Sequence, residues 1–319
     1  MNHSTSDLHR PVMLQRCLEL LRPGITSDSS VVIDCTLGLG GHTEALLSEH
    51  DNLTVIGIDR DPAALALASK RLAPFGSRFI PMAATYDEIT EVLAELDFSS
   101  VQGILMDLGV SSMQLDEADR GFSYAQAAPL DMRMDQSSGE TAAKLLSELS
   151  EKELTRIFRD YGEERFAALI AKRIVSDRVT SKILTSTDLN KIVTAVVPMA
   201  PGRASGHPAK RIYQALRIAV NSELSGLEAA LPQAIVALSV GARLVVMSYH
   251  SLEDGIVKRA MQEAAVSSTP IGMPMQLPGT SPAFKVITRG VERATELELS
   301  QNPRAASARL RAAEKLEVF

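Results

Sequence analysis

A cluster of glycines, three aspartates and two histidines at suggestive spacing are the residues of this 319-residue chain best placed to do chemistry. The segment DCTLGLGGH runs from Asp34 to His42 and follows the β-branched run Val31-Val32-Ile33. The segment GIDRD at 57–61 follows Val55-Ile56 and sets Asp59 about twenty positions beyond the turn. Glycines let a backbone approach a ligand, and a carboxylate ending the next strand can accept from ribose hydroxyls. Gly38 and Gly40 match the G-x-G of a dinucleotide site, but Thr43 stands where the third small residue belongs, and Gly41-His42 crowds the turn. Three readings are open: a dinucleotide site, a tight strand-to-helix turn with no ligand, and a site for S-adenosylmethionine. The last cofactor has no pyrophosphate. It asks for a glycine backbone beside its amino-acid part and an acid for its ribose. Asp34 and Asp59 suit those tasks, so most of the weight falls there.

The elements that must position these residues alternate. Strands are predicted at 31–35, 54–58, 78–82, 103–108 and 243–248, and helices at 11–22, 42–50, 62–73 and 87–96. Asp61-Pro62 is a good helix start. Alternation implies right-handed crossovers and a parallel sheet. From 115 to 208 no strand pattern is found; helices are predicted at 140–149, 151–160, 163–177 and 187–197, with Ser150 and Thr187 as caps. A long helix near 209–230 resumes the rhythm, and residues 284–288 read as a late strand. The expected organisation is an α/β domain of residues 1–114 and 209–319, interrupted by a helical insertion of residues 115–208. Such an insertion leaves at the carboxyl end of the fourth strand, where ligands bind in such sheets.

Composition narrows the class. Apolar residues make up 45% and charged residues 23%, as in ordinary globular chains. No apolar run is long enough to span a bilayer, and the polar N-terminus does not read as a secretory signal. Cys17 and Cys35 have no paired spacing, which fits a reducing cytoplasm and argues against a disulfide framework or a zinc site. A net charge of −6 leans mildly against nucleic acid, although local patches decide contacts.

Further motifs are long and unusual: GILMDLGVSSMQLD at 103–116, RGFS at 120–123, LDMRMD at 130–135, YGEERF at 161–166, VNSEL at 220–224, SYHSLED at 248–254 and NPR at 302–304. With the two segments above, these make the chain resemble, over nearly its whole length, the bacterial small-subunit (16S) ribosomal RNA cytosine-N4 methyltransferases of the H type. The resemblance implies a class I (Rossmann-like) methyltransferase domain with an inserted all-helical substrate-recognition domain. It implies S-adenosylmethionine as cofactor and a cytosine in the decoding region as target. By the same resemblance Gly40, Gly41 and His42 contact the methionine part, Asp59 holds the ribose, Tyr86 lies near the adenine, and Asp107 and Gln114 complete the site. Two departures are Met113, where many relatives have proline, and the absence of the cysteines that some relatives carry in the loop 267–283. No metal is expected.

An exocyclic cytosine nitrogen is a poor nucleophile because its lone pair is delocalised into the ring. Acceptors aimed at its N–H groups favour the turn toward sp³ that attack requires, and in-line placement supplies much of the rate. Many amino-methyltransferases carry an Asp/Asn-Pro-Pro-aromatic turn after strand four; here Asp107 and the serines Ser111 and Ser112 occupy that place. Asp107, assisted by Ser111 or Ser112, is the expected acceptor; the alternative is that Asp107 only binds cofactor. His250, just beyond the fifth strand, is a candidate proton acceptor or a structural histidine. Two basic stretches are candidate RNA contacts: Arg165, Lys172, Arg173, Arg178 and Lys182, and Arg203, Lys210, Arg211 and Arg217. The target base must be flipped to reach the methyl group. Phe122 and Tyr124 are candidate stacking residues, with Phe122 as a core anchor the alternative. The expected partner is small-subunit rRNA in an assembled or late-assembling 30S particle, in the cytoplasm and with no membrane; a homodimer is left open.

Overall fold

The computed structural model describes residues 11–26, 29–198, 207–270, 273, 275, 277 and 279–317. They form two compact units, Met1–Gly109 with Leu224–Phe319, and Val110–Glu223.

The first unit is built on seven strands, numbered in chain order: β1 Val31–Asp34, β2 Thr54–Asp59, β3 Phe79–Ala83, β4 Val101–Asp107, β5 Leu238–Ser248, β6 Phe284–Val286 and β7 Arg309–Lys315. Their order in the sheet is β3-β2-β1-β4-β5-β7-β6. The first five are parallel, and β7 runs antiparallel to both β5 and β6. The sheet order reverses between β1 and β4, the switch point at which such sheets bind ligands outside the strands' carboxyl ends. Helices α1 Leu14–Leu21, α2 Gly41–Glu49, α3 Pro62–Leu72 and α4 Ile89–Glu95 belong to this unit, as do α11 Glu223–Ala237 apart from its first residue, α12 Ser251–Ala264 and α13 Glu296–Gln301.

Both faces of the central strands are covered, so their side chains are apolar without alternation. Ile33, Ile56 and Ile104 pack on one face with Leu231 and Val257; Val32, Val55 and Leu105 pack on the other with Leu21 and Leu47. Each fully buried aliphatic side chain contributes about 1.5–3 kcal/mol, and the backbone groups of these strands are satisfied by the ladder itself. Asp61 caps α3 as expected, its carboxylate accepting from the Ala63 amide at 3.0 Å.

The second unit holds α5 Ser112–Asp116, α6 Ala142–Glu148, α7 Glu151–Asp160, α8 Ala167–Asp177, α9 Ser186–Val196 and α10 Lys210–Asn221. Its core includes Phe122, Leu146, Leu154, Phe158, Ile170, Leu189 and Leu216. Ser150 caps α7, as expected. Thr187 does not cap α9; Thr185 does, in a reciprocal pair with Asp188, which places Thr187 inside the first turn.

The expected long helix near 209–230 is two helices. Ser222 takes a left-handed conformation, φ 53°, and ends α10. The buried Asn221 fixes this point, donating to the Met132 carbonyl at 2.8 Å and accepting from the Met134 amide at 2.8 Å. α10 therefore packs its Ile212, Tyr213 and Leu216 in the helical unit, whereas the sequence pattern placed it with the α/β domain. The tail strand β7 is absent from the sequence expectation, because RLRAAEK carries too little β-branched character to mark it.

Candidate active site

The carboxyl ends of β1, β2, β4 and β5 bring Asp34, Asp59, Asp107 and the turn Tyr249-His250 to one edge of the sheet. After β1 the chain makes its glycine turn. Gly38 and Gly40 both adopt left-handed conformations, φ 52° and 75°. A Cβ on Gly40 would strike Leu72 at 2.9 Å, and one on Gly41 would strike Pro11 at 2.4 Å. These two glycines therefore serve close packing against α3 and the N-terminal segment. Gly38 differs: a Cβ there meets only the Thr36 carbonyl, at 3.9 Å, so its bare backbone faces open space. The expected cofactor set omitted Gly38, and the tertiary packing sets its open Cβ side apart from the packed ones of Gly40 and Gly41.

Asp59 holds the turn from below. Its carboxylate accepts from the Gly38 amide at 2.7 Å and the Asp61 amide at 2.9 Å. Burial pushes it above the usual carboxylate range, opposed by these two bonds. Each oxygen retains a further lone pair, enough to accept from a diol. Tyr86 follows β3 in a half-buried turn, with the Arg60 guanidinium 5.9 Å from its ring centre. Gly226 gives the ring room, since a Cβ there would lie 3.1 Å from Tyr86 Cε2.

Asp107 is the centre of the strongest perturbation. Its amide donates to Thr36 Oγ1 at 2.6 Å, and its Oδ1 accepts from the Tyr249 hydroxyl at 2.7 Å. Desolvation pushes the carboxyl up to about 7, although the Tyr249 hydrogen bond works the other way. Its other oxygen faces His42 Nδ1 at 3.9 Å. His42 Nε2 lies 3.1 Å from the Val12 carbonyl, which can only accept, so Nε2 carries the proton and Nδ1 is bare. Burial holds His42 below its ordinary pKa, so the ring is neutral. Two acceptors thus confront each other across 3.9 Å, too far to bond, with a gap that an ammonium or amine N–H would satisfy. Asp34, also raised by burial, accepts from Thr43 Oγ1 at 2.8 Å and lies beneath this pair. Thr43, whose size argues against a dinucleotide, is thus an anchor for Asp34.

His250 caps α12. Its Nδ1 accepts from the Glu253 amide at 3.4 Å, and its Nε2 lies 3.0 Å from Glu253 Oε1 without hydrogen-bond geometry. Ser111 and Gln114 belong to the second unit, where they form a reciprocal cap on α5: the Gln114 amide donates to Ser111 Oγ at 3.2 Å, and the Ser111 amide donates to Gln114 Oε1 at 3.0 Å. Sequence reasoning missed Tyr249 and Thr36 as partners of Asp107. The signal for Tyr249 was its place one residue beyond the β5 apolar run.

Several expected RNA-contact cations have structural partners. Arg178 donates to the Leu146 and Leu149 carbonyls at 2.8 and 2.7 Å, closing the end of α6. Arg217 forms a fork with Glu223, at 2.9 and 2.8 Å. Arg211 donates to the Glu163 carbonyl at 3.0 Å, and Arg173 pairs with Asp177 on its own helix at 2.8 Å. Arg165, Lys172, Lys182 and Lys210 are exposed; Arg203 lies outside the described residues. Phe122 is buried in the helical core, which bears out the anchor reading, while Tyr124 stacks on His207 with centroids 4.9 Å apart. Among the described residues, no group of three or more His, Cys, Asp or Glu could hold a metal ion, and no helix is long and apolar enough to cross a membrane.

The seven-stranded sheet with its single reversed strand, and the carboxylate-lined strand ends, define a class I methyltransferase. The chain belongs to the MraW methylase family, whose model matches residues 6–316. It is 55% identical to the ribosomal RNA small subunit methyltransferase H of Saccharopolyspora erythraea over 314 residues, covering 98% of this chain and 95% of that one. Proteins of the same name from Beutenbergia cavernae and Thermobifida fusca are 54% and 53% identical, over 97% and 98% of this chain and 93% and 94% of theirs. The chain is therefore a methyltransferase, and S-adenosylmethionine is its methyl donor. The residues fit that molecule: an open glycine backbone at Gly38, a carboxylate with spare lone pairs at Asp59, and facing acceptors at His42 and Asp107 for a positively charged group.

Proposed function

We propose that this chain moves the methyl group of S-adenosylmethionine onto the exocyclic N4 amine of one cytosine in the decoding region of small-subunit (16S) ribosomal RNA. Family membership and the name carried by its relatives support an rRNA target. The observation that carries the chemistry is Asp107, a carboxylate at the end of β4 with one oxygen engaged by Tyr249 and the other directed to the gap beside His42.

When bound, the cofactor supplies an electrophilic methyl on a sulfonium. The Asp107 Oδ2 atom accepts an N–H of the target amine and favours its turn toward sp³. Tyr249 donates to Oδ1 and fixes the plane of the carboxylate. Gly38 and Asp59 hold the amino-acid and ribose ends of the donor, with Gly40 and Gly41 shaping the turn, and Tyr86 flanks the adenine. The proton leaves to Asp107 or to water. His250, with both ring nitrogens turned to Glu253, positions the β5–α12 turn and takes no proton in this reading. Ser111 and Gln114 order the loop that follows Asp107. A second reading, in which Asp107 only holds the donor's ammonium group, is favoured by the same His42 contact. Asp107→Asn separates the two: retained donor affinity with lost transfer supports the acceptor role, and parallel loss of both supports the second reading.

The substrate is small-subunit rRNA in an assembled or late-assembling 30S particle, in the cytoplasm. Labelled methyl should transfer to 30S subunits from cells lacking the modification, and not to DNA, with N4-methylcytidine recovered on digestion. Transfer to DNA or to protein alone would overturn the assignment. Sedimentation equilibrium of the free enzyme reads whether it works as a homodimer.

A further inference from the structure

At the far edge of the first unit, α12, the segment after β6, and β7 line a half-open cavity of about 530 Å³. Its lining includes Lys258, Gln262, Thr288, Arg289, Gly290 and Arg311, and among the described residues no carboxylate. Arg311 is tied to Asp254 by bonds of 2.7 and 3.1 Å, which hold β7 to α12 and neutralise that charge. Two other carboxylates in these strands and their flanking segment are engaged as well, Glu292 with Arg16 at 2.7 Å and Glu314 with Arg243 at 2.7 Å. Lys258 and Arg289 are both exposed and leave the cavity positive, in a chain whose net charge is −6.

Two neutral groups complete the donor set. Thr288 is only 3% exposed, and its Oγ1 accepts from the Ala312 amide at 3.2 Å, so its hydroxyl hydrogen remains to donate. Gly290 does not need to be glycine for conformation, since its φ is not left-handed, nor for packing, since a Cβ there meets nothing within 4 Å. A bare backbone beside a lysine, an arginine and a buried hydroxyl is a lining for an anion with several acceptor oxygens.

We propose that this cavity grips a backbone phosphate of the RNA substrate. The inference rests on the rRNA reading above. An acidic enzyme must hold a polyanion through local cations; in the helical unit Arg173, Arg178, Arg211 and Arg217 already have protein partners, which leaves Arg165, Lys172, Lys182 and Lys210 exposed there and Lys258 and Arg289 exposed here. Lys258 lies two turns into α12, about 10 Å along the helix from its first residue, Ser251. Arg311 pairs in register with Val246 near the carboxyl end of β5, so an RNA strand whose target base sits at the strand ends passes this edge of the sheet.

The test uses the full chain, with Lys258→Ala and Arg289→Ala singly and together, and a labelled decoding-region fragment of small-subunit rRNA. The double variant should bind this RNA about tenfold more weakly, and its log K against log salt slope should fall by about 1. Donor affinity and thermal midpoint should stay at the wild-type values, because both side chains are exposed. Wild-type methylation of unmodified 30S subunits is measured alongside. An active wild type whose RNA affinity and salt slope equal those of the double variant overturns this inference alone. A wild type that transfers no methyl to 30S subunits overturns the functional reading, and this inference with it. Titration with inorganic phosphate distinguishes a free-anion site: saturable phosphate binding with RNA affinity unchanged in the double variant also overturns it.

Discussion

The strand ends of the α/β unit and the interior of the helical unit use ionisable residues in opposite ways. In the α/β unit the carboxylates of Asp34, Asp59 and Asp107 stand at strand ends with neutral donors as their hydrogen-bond partners, and burial raises all three. In the helical unit the cations Arg178, Arg211 and Arg217 are spent on carbonyls and one buried carboxylate. A buried acid facing only neutral groups is costly to ionise and waits for a cation. An arginine forked onto a carboxylate or closing a helix end is part of the scaffold. The three strand-end carboxylates of the first unit are held ready for a ligand, whereas its outlying pairs such as Arg311–Asp254 and much of the charge in the second unit hold elements together.

The largest expected break of this contrast is Asp107→Asn. Turnover should fall roughly 10²–10³-fold, about 2.7–4 kcal/mol of transition-state stabilisation. The pH dependence gives a second reading of the same residue. The folded state holds the Asp107 proton more tightly than the unfolded chain does, so its contribution to stability is present below about pH 4 and lost as pH rises through about 7. Asp107→Asn should therefore raise the melting temperature at pH 8 while slowing transfer. Catalysis runs the other way: the acceptor must be ionised, so kcat/KM should climb through about pH 7.

Arg217→Ala comes next. Removing the arginine of this largely buried fork takes two charge-assisted hydrogen bonds from Glu223 and should cost about 3 kcal/mol in denaturant unfolding. Donor affinity at 25 °C should not change; loss of donor binding would break the separation between the units. Tyr249→Phe should lower turnover only about tenfold, on the order of 1.4 kcal/mol. Its sharper signature is the pH profile. Without the hydroxyl that favours the ionised form, the rise in kcat/KM should move to higher pH. The smallest effect is expected for Arg173→Ala, whose exposed pair with Asp177 should contribute less than about 0.5 kcal/mol in a melting experiment. Weakened RNA binding without loss of stability would show that this cation serves the substrate after all.

The parallel strands were legible because burial on both faces writes a continuous apolar run, as in VVID and GILMD. Helix starts were legible where a capping residue precedes the helix, at Asp61 and Ser150. The break at Ser222 was not, since it depends on Asn221 reaching carbonyl and amide groups almost ninety residues earlier in the chain. Thr187 misled for a local reason: two hydroxyl residues near it compete, and the Asp188 pairing decides for Thr185. Which cations of the basic stretches are tied into the scaffold was not legible either, because a count of cations carries no information about their partners.

By itself the sequence determined the parallel strands, the glycine turn, the acid ending β2, the acid ending β4 and the family to which they belong. These are properties of short segments, fixed by local sterics and by the periodicity of burial. Tertiary structure alone decided which glycine faces open space, that Tyr249 and His42 meet Asp107 from distant segments, and that its carboxyl is held near 7. Desolvation and partner geometry come from elements far apart in the chain, and no short segment contains them.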